Sequence, residues 1–199
     1  MITFRYAGEE ETQAQERAAE MVRRGIYNRF NGTEAERIAH AKTGCLGEIM
    51  FEKVLQNSNV NYELDHTDFS NRNADEFDFK MKDLKFDVKV AKTDRQPQNS
   101  WTYGYPCQQI NMQKDFVVVG FVNETNKTGG FYGWIPFNEI QKYPAVMKNS
   151  FAGFKYKTPN HEFPWGDLCQ NFDKLFNALR TYDNRQECRA AIMGIYGRR

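Results

Sequence analysis

Two short segments near the middle of the chain, at positions 77–81 and 86–90, alternate strictly between apolar and charged residues. A period of two is typical of strands that bury one face, and the polar stretch between the segments is expected to form the turn of a β-hairpin. A shift of the register by one residue would mix the apolar and the charged sets. The alternation therefore predicts which side chains share a face of the hairpin.

A two-residue turn at Asp83-Leu84 would place Asp78 opposite Lys89, with Asp87 on the same side of the hairpin. Carboxylates that lie close together repel each other unless a cation sits between them, and oxygen ligands of this kind suit Mg²⁺, with Mn²⁺ as a substitute. A metal ion beside a lysine can polarise a phosphoryl group and orient water for attack. The hairpin therefore predicts a metal site suited to phosphodiester hydrolysis.

Other patterns predict the helices and strands around the hairpin. A helix over 9–24 is indicated by acids in its first turns, bases in its last turn and a glycine beyond. Thr33 and Glu36 form a capping box at the start of a second helix, which should run to about residue 56. Further expected elements are a strand covered on both faces at 116–122, a turn at Gly129-Gly130, a strand at 131–135, a short helix at 136–140 and a loop-rich stretch at 143–164.

These elements predict an α/β fold in which a central mixed β-sheet is flanked by helices. A single domain is expected over residues 1–199, since no linker or repeat divides the chain. Its core should span about 33–140, preceded by the N-terminal helix at 9–24 and followed by a C-terminal helical region at about 167–193.

Composition limits the cellular setting more than the activity. The four cysteines are far apart and form no CxxC pair, so neither a zinc site nor a disulfide framework is expected. No apolar run approaches the roughly 20 residues that cross a bilayer. We expect a soluble protein without a membrane partner, located in the cytoplasm of a bacterium or of a phage-infected host. The net charge of +1 shows no overall basic excess for binding nucleic acid.

The segment Gly44-Cys-Leu-Gly-Glu48 on the second predicted helix, followed by Asp78 on one strand and Asp87-Val-Lys89 on the next, resembles the PD-(D/E)xK, or restriction-endonuclease-like, nuclease superfamily. The resemblance covers roughly residues 33–140. It implies a restriction-endonuclease-like fold and a catalytic centre made of Glu48, Asp78, Asp87 and Lys89. It also implies a metal site formed by the three carboxylates and the backbone carbonyl of Val88.

The chain departs from the superfamily pattern in two places, since no proline precedes Asp78 and the middle acid is Asp87 rather than glutamate. Acid-x-Lys tripeptides also occur at Asp78-Phe-Lys80 and Asp83-Leu-Lys85. Asp87-Val-Lys89 is favoured because it lies within a predicted strand. Asp75 replaces Asp78 if the first strand contains a bulge.

The substrate is expected to be nucleic acid, with DNA favoured by the usual preference of the superfamily. Endonuclease activity is favoured, and a junction resolvase or an exonuclease is the alternative among enzymes. A resolvase or a restriction enzyme would normally be a homodimer. The alternative that is not an enzyme is a non-catalytic protein for nucleic-acid binding or assembly. In such a protein the charged residues are only the solvated polar face of the hairpin.

Residues that follow the second strand of the hairpin mix cations, amides and aromatic rings, a combination found in nucleic-acid grooves. Core packing and loop anchoring would explain the aromatic residues equally well. The residues predicted to bind substrate are Lys92, Arg95, Trp101 and Gln108.

Overall fold

A computed structural model of the chain describes residues 1–25, 32–64, 77–109 and 113–198. The protein is a mixed α/β structure in which a mixed sheet is flanked by helices. The helices are α1 (Gly8–Arg23), α2 (Glu34–Asn57), α3 (Phe137–Ile140), α4 (Phe172–Thr181) and α5 (Arg185–Tyr196). The strands are β1 (Ile2–Arg5), β2 (Glu63–Leu64), β3 (Phe79–Met81), β4 (Leu84–Lys92), β5 (Thr102–Pro106), β6 (Phe116–Asn123), β7 (Thr128–Pro136), β8 (Ala145–Lys148) and β9 (Lys155–Pro164).

The larger sheet has six strands in the order β1-β7-β6-β4-β3-β2. Strands β4 and β6 are parallel, and the other neighbours are antiparallel. Every residue of β6 is buried, as its continuous apolar sequence predicted for a strand covered on both faces. The catalytic residues predicted from the hairpin therefore lie next to the most buried strand of the protein.

The β3–β4 hairpin exists, but its turn is Lys82-Asp83, and the predicted turn at Asp83-Leu84 is wrong. Phe79 pairs with Phe86, and Met81 pairs with Leu84. Both turn residues have positive φ angles, of 50° and 58°, as a type I′ turn requires. The register differs from the predicted one by two residues. A shift of two keeps every side chain on its face, so alternation could not distinguish the two registers.

Helix α2 begins and ends close to its predicted limits. The Thr33 side chain accepts a hydrogen bond from the backbone N–H of Glu36, while the Glu36 carboxylate accepts one from the Thr33 backbone, which completes the capping box. The helix packs closely on β4 at Gly47, where an added Cβ would lie 2.6 Å from the methyl carbons of Val90. Gly47 therefore lets α2 pack closely against the apolar face of β4.

The predicted turn at Gly129-Gly130 is also wrong, since both glycines lie inside β7. There they pair with Val122 and Phe121 of β6 on one side and with β1 on the other. An added Cβ on Gly129 would lie 2.6 Å from the ring of Phe4. The absence of a side chain at Gly129 thus leaves room for the ring of Phe4. Phe4 belongs to β1, an N-terminal strand that was not predicted.

A second, three-stranded sheet has the order β5-β9-β8 and occupies much of the stretch that was expected to be loop-rich. β5 pairs with the C-terminal half of β9 from Thr102 opposite Pro164 to Pro106 opposite Asn160. Within the described ranges, no helix is long and apolar enough to cross a membrane. The second sheet forms one wall of the clefts that lie beside the hairpin.

Candidate active site

Asp87 is the centre of a buried network of ionic and polar contacts. It lies on β4 with only 1% of its surface exposed. Its Oδ1 accepts hydrogen bonds from Lys89 Nζ at 2.8 Å and from Lys114 Nζ at 2.5 Å, and its Oδ2 accepts one from the Tyr105 hydroxyl at 2.9 Å. Both carboxylate oxygens are therefore engaged by side chains of the protein itself.

The two lysines and the carboxylate affect one another's ionisation. Burial disfavours the charged form of Asp87, but the charges of Lys89 and Lys114 outweigh it and lower the pKa of Asp87. Burial acts against the charge of Lys89 too, but Asp87 and Asp78 raise the pKa of Lys89 well above its usual value. For Lys114, burial prevails and lowers the pKa. Two lysines in different electrostatic environments thus donate to the same oxygen, Oδ1 of Asp87.

Asp78 lies just before β3, next to Phe79, which pairs with Phe86 of β4. Its backbone N–H donates to the Phe86 carbonyl at 3.0 Å, and its Oδ2 accepts a hydrogen bond from the Val88 N–H at 2.6 Å. Burial raises the pKa of Asp78 well above its usual value, and the negative charges of Glu48 and Asp87 raise it further. Asp78 is the carboxylate with the least compensation by cations in this cluster.

Glu48 reaches the cluster from α2, which the contact at Gly47 holds close to the sheet. Its carboxylate makes a salt bridge of 2.7 Å with Arg17 of α1. Its charge acts on Asp78, as the raised pKa of that group shows. The structure thus brings all four predicted catalytic residues, namely Glu48, Asp78, Asp87 and Lys89, into one electrostatic cluster.

A cleft of about 440 Å³ borders this cluster, and Asp78 and Asp87 are not among the residues that line it. Glu48 and Lys89 line it together with residues of α2 and β5. Gln109 also lines it, and the Gln109 Oε1 atom is buried with no hydrogen-bond partner among the described residues. The cleft therefore combines a carboxylate, an ammonium group and an amide oxygen that can accept a hydrogen bond from a ligand.

The fit of the predicted metal ligands differs from one carboxylate to the next. In the described part of the chain, no group of three or more acidic, histidine or cysteine side chains is arranged to hold a metal ion. Asp78 and Glu48 offer oxygen donors where negative charge is crowded, which suits a hard divalent cation. Both lysines occupy Oδ1 of Asp87, whereas Oδ2 accepts one hydrogen bond, from Tyr105, so Oδ2 is the Asp87 oxygen with room for a further contact. The Glu48 carboxylate is held by Arg17 and one Asp78 oxygen by the Val88 N–H, so a metal site built from these carboxylates and the Val88 carbonyl, the fourth predicted ligand, stays a prediction.

The residues predicted to contact substrate lie in different places. Lys92, Arg95 and Trp101 line a second cleft beside the first, and Lys92 lines both clefts. Gln108 is exposed on the 3-10 turn Cys107–Gln109 and lines neither cleft. Its neighbour Gln109 occupies the position that Gln108 was expected to fill, because the turn directs the two amides differently. Asp75 lies outside the described residues.

Sequence reasoning missed Lys114 and Tyr105, which both contact Asp87. Lys114 follows a segment without a recognisable pattern, and Tyr105 belongs to β5, whose strand character depends on pairing with a distant strand. The only signal for Lys114 is its position two residues before the apolar run that forms β6. Because β4 and β6 are parallel neighbours, the residues that precede β6 lie beside the start of β4.

Comparisons with protein-family models, with curated proteins and with solved structures find no match to this chain. The resemblance to the nuclease superfamily therefore rests on the sequence motifs alone. The function has to be argued from the chemistry of the cluster and the clefts.

Proposed function

We propose that this chain is a metal-dependent nuclease that hydrolyses phosphodiester bonds, with Glu48, Asp78, Asp87 and Lys89 as its catalytic centre. The observation that carries the proposal is the convergence of three carboxylates and two lysines, of which Glu48 and Lys89 line an open cleft. A structural hairpin face has no physical need to crowd carboxylates until the pKa of one of them rises. Perturbed groups beside a cleft are typical of catalytic sites.

Phosphodiester hydrolysis adds negative charge to the phosphoryl oxygens as the attacking and leaving oxygens pass through the transition state. Lys89 lines the cleft and is held in place by Asp87, so its ammonium group is positioned to stabilise that charge without reorganisation. Lys114 contacts the same Asp87 oxygen and keeps the carboxylate ionised. In this scheme, Asp87 positions the cations, while Lys89 contacts the reacting phosphate.

Magnesium is the proposed cofactor, with manganese as a substitute, and Glu48 and Asp78 are its proposed principal ligands. Asp87 and the Val88 carbonyl are the further ligands implied by the resemblance. When bound, the ion supplies Lewis acidity and lowers the pKa of water. Asp78 is fixed by the Val88 N–H, so one of its oxygens is oriented before any cation arrives.

A restriction-endonuclease-like arrangement is the proposed finer description of the fold. It is supported by α2 packed on β4, by the β3–β4 hairpin and by the parallel pairing of β4 with β6. DNA is the proposed substrate and endonuclease activity the proposed mode, as the resemblance implies. A junction resolvase or an exonuclease would use the same centre on a different nucleic-acid structure, and a resolvase would act as a homodimer.

The test is cleavage of supercoiled plasmid, linear duplex, single strands, a four-way junction and RNA in Mg²⁺, Mn²⁺ or EDTA. Lys89→Ala and Asp78→Asn should reduce cleavage by about 100-fold or more, since they remove charge stabilisation and a metal ligand. Lys80→Ala is the matched control. It belongs to the same hairpin face, but its ammonium group pairs with Glu63 instead of the cluster. Equal cleavage by Lys89→Ala and the parent protein would refute the proposal.

A second candidate, a non-catalytic protein that binds nucleic acid or assembles with partners, is favoured by one observation. The Asp87 carboxylate already has three donors from the protein, which is typical of a buried polar network that stabilises a scaffold. This candidate predicts binding of nucleic acid without cleavage in any metal. It also predicts that Asp87→Asn changes stability but no catalytic rate.

A further inference from the structure

The hairpin formed by β8 and β9, defined here as the arm (residues 145–161), has an unusual composition. It contains three lysines and no aspartate or glutamate, although the whole chain has a net charge of only +1. Its large apolar side chains are also exposed at the tip, with 51% of Phe151 and 54% of Phe154 accessible to solvent. Positive charge and exposed aromatic rings are thus concentrated on one hairpin.

The tip of the arm is held by a buried polar network. Glu162 accepts hydrogen bonds from the Ser150 N–H at 2.9 Å and from the Tyr156 hydroxyl at 3.1 Å. Asn149 is 3% exposed, and its side chain donates to the Tyr156 hydroxyl at 2.8 Å. These contacts fix the backbone that carries Phe151 and Phe154. The two rings therefore stay exposed because the tip is braced, and they cannot easily fold back into the core.

Between the arm and the end of β4 runs a groove of about 480 Å³, defined here as the aromatic groove. Phe151, Phe154, Tyr156, Trp101, Tyr103 and Trp165 supply its aromatic lining. Lys92 and Arg95 lie on its β4 side, where Lys92 pairs with Glu124 and Arg95 lies 3.9 Å from Asp94, and none of the described residues that line the groove itself is acidic. Trp101 and Phe151 lie with ring centroids 5.4 Å apart at an angle of 38°. The groove thus offers flat apolar surfaces beside cations.

The aromatic groove adjoins the cleft beside the candidate active site. Both are lined by Val90, Lys92, Tyr103 and Gly104. A chain bound along the groove would therefore lie next to the cleft that Lys89 lines. Successive residues of β9 alternate in direction, so Lys155 and Lys157 lie on the opposite face from Tyr156 and extend the positive field around the arm.

We infer that the aromatic groove binds single-stranded nucleic acid, with unpaired bases stacked on Trp101, Phe151 and Phe154 and phosphates beside Lys92 and Arg95. The inference names the substrate class of the proposed nuclease and rests on that proposal. Unpaired bases expose the faces that stack on aromatic rings, whereas the bases of a duplex are already stacked on one another. A groove that recognised only phosphates would need the cations but not the exposed phenylalanines.

The experiment measures binding of fluorescein-labelled oligo(dT) and of a hairpin duplex of equal length to the full chain in EDTA, by anisotropy. We expect the single strand to bind at least about ten-fold more tightly than the duplex, and Phe151→Ala and Phe154→Ala each to weaken its binding by about ten-fold. Tyr182→Ala is the matched control. Tyr182 is an exposed aromatic residue outside the groove, with 37% of its surface accessible, and its loss should leave binding unchanged.

Equal affinity for the two oligonucleotides, unchanged binding by both phenylalanine variants, or no binding at all would overturn the inference. Competition by heparin tests whether charge alone explains the binding. If heparin binds as tightly as oligo(dT) and the phenylalanine variants bind like the parent, the arm recognises charge only, and the inference is wrong. Selective single-strand binding without any cleavage in Mg²⁺ or Mn²⁺ would instead refute the nuclease and leave this site standing. Cleavage that prefers duplex and is unchanged in both phenylalanine variants would instead support the nuclease and refute the single-strand site.

Discussion

Lys114 Nζ lies 2.5 Å from Asp87 Oδ1, although 27 positions separate the two residues along the chain. The pair joins the start of β6 to β4 in a buried environment, where 3% of the lysine side chain and 1% of the carboxylate side chain are exposed. Lys89 contacts the same oxygen. The carboxylate is thus shared between a lysine that faces the cleft and a lysine that the motif did not include.

Because Lys89 still compensates the charge of Asp87, Lys114→Met should cost about 2 kcal/mol of unfolding free energy, less than the roughly 3–5 kcal/mol typical when a buried pair is broken outright. Asp87→Asn should cost more, since it leaves two lysines side by side. The double variant should lose less stability than the two single variants lose together, by about 1 kcal/mol or more. Urea unfolding of the four proteins measures this coupling. Lys174→Met, an exposed lysine on α4, should change stability by less than about 0.5 kcal/mol.

Local patterns predicted the parts of this structure whose contacts are themselves local. The capping box at Thr33 and the alternation in the β3–β4 hairpin depend on residues within a few positions of one another, and both features are present. The mixed sheet flanked by helices also follows from the order of these elements. The hairpin itself was predicted correctly, although its register is shifted by two residues.

Contacts between distant segments could not be predicted in this way. Strand β9 is polar at its start and pairs with β5, about 60 residues earlier, so its pairing partner leaves no local trace. The same is true of Tyr105, which reaches Asp87 only because β5 lies beside the larger sheet. The candidate site was predicted through its motif residues, whereas the groups that set their ionisation come from the fold.

Gly47 sets the distance between α2 and β4, so Gly47→Ala should destabilise the protein. The added Cβ would lie 2.6 Å from two methyl carbons of Val90, which forces either the helix or the side chain to move. Overpacking of this kind typically costs about 1–3 kcal/mol. Val90→Ala should recover most of the loss in the double variant. Thermal unfolding of the single and double variants measures both effects.

Gly44 provides the matched control on the same helix, since an added Cβ there has no atom within 4 Å. Gly44→Ala should raise the unfolding free energy by up to about 1 kcal/mol, because alanine has the higher helix propensity. A destabilisation by Gly44→Ala equal to that of Gly47→Ala would show that backbone flexibility of α2, and not its contact with β4, explains both glycines.

Glu11 should make folding sensitive to acid. Hydrogen bonds from Lys127 and Lys42 lower the pKa of Glu11 from 4.5 to about 2, with burial acting weakly in the opposite direction. A folded-state pKa below the unfolded value means that the unfolded chain binds the proton more strongly. The stabilisation is therefore complete above about pH 5 and is lost as the pH falls towards 2.

Glu11→Gln should lose about 1 kcal/mol at pH 7, a value reduced by solvent screening of these partly exposed pairs, and nothing at pH 2. Urea unfolding at several pH values between 2 and 7 measures the difference. Glu16→Gln, at an exposed position of the same helix beyond its first turn, should change stability at pH 7 by less than about 0.5 kcal/mol. A constant difference between Glu11→Gln and the parent at all pH values would contradict an ionic origin.

The turn at Lys82-Asp83 gives the sharpest test of the hairpin register. Asp83 has a φ of 58°, and 76% of its side chain is exposed. Asp83→Gly should therefore stabilise the protein by about 0.5–1 kcal/mol, because glycine adopts positive φ without strain. Asp83→Val should destabilise it, since a β-branched side chain is strained in this conformation.

Leu84→Gly separates the two registers completely. In the observed register Leu84 is fully buried opposite Met81, so its loss should cost about 3 kcal/mol or more. In the register with a turn at Asp83-Leu84, the same substitution would fall in the turn and stabilise the hairpin. Urea unfolding of Asp83→Gly and Leu84→Gly side by side therefore decides between the observed register, in which Phe79 pairs with Phe86, and the register that places Asp78 opposite Lys89.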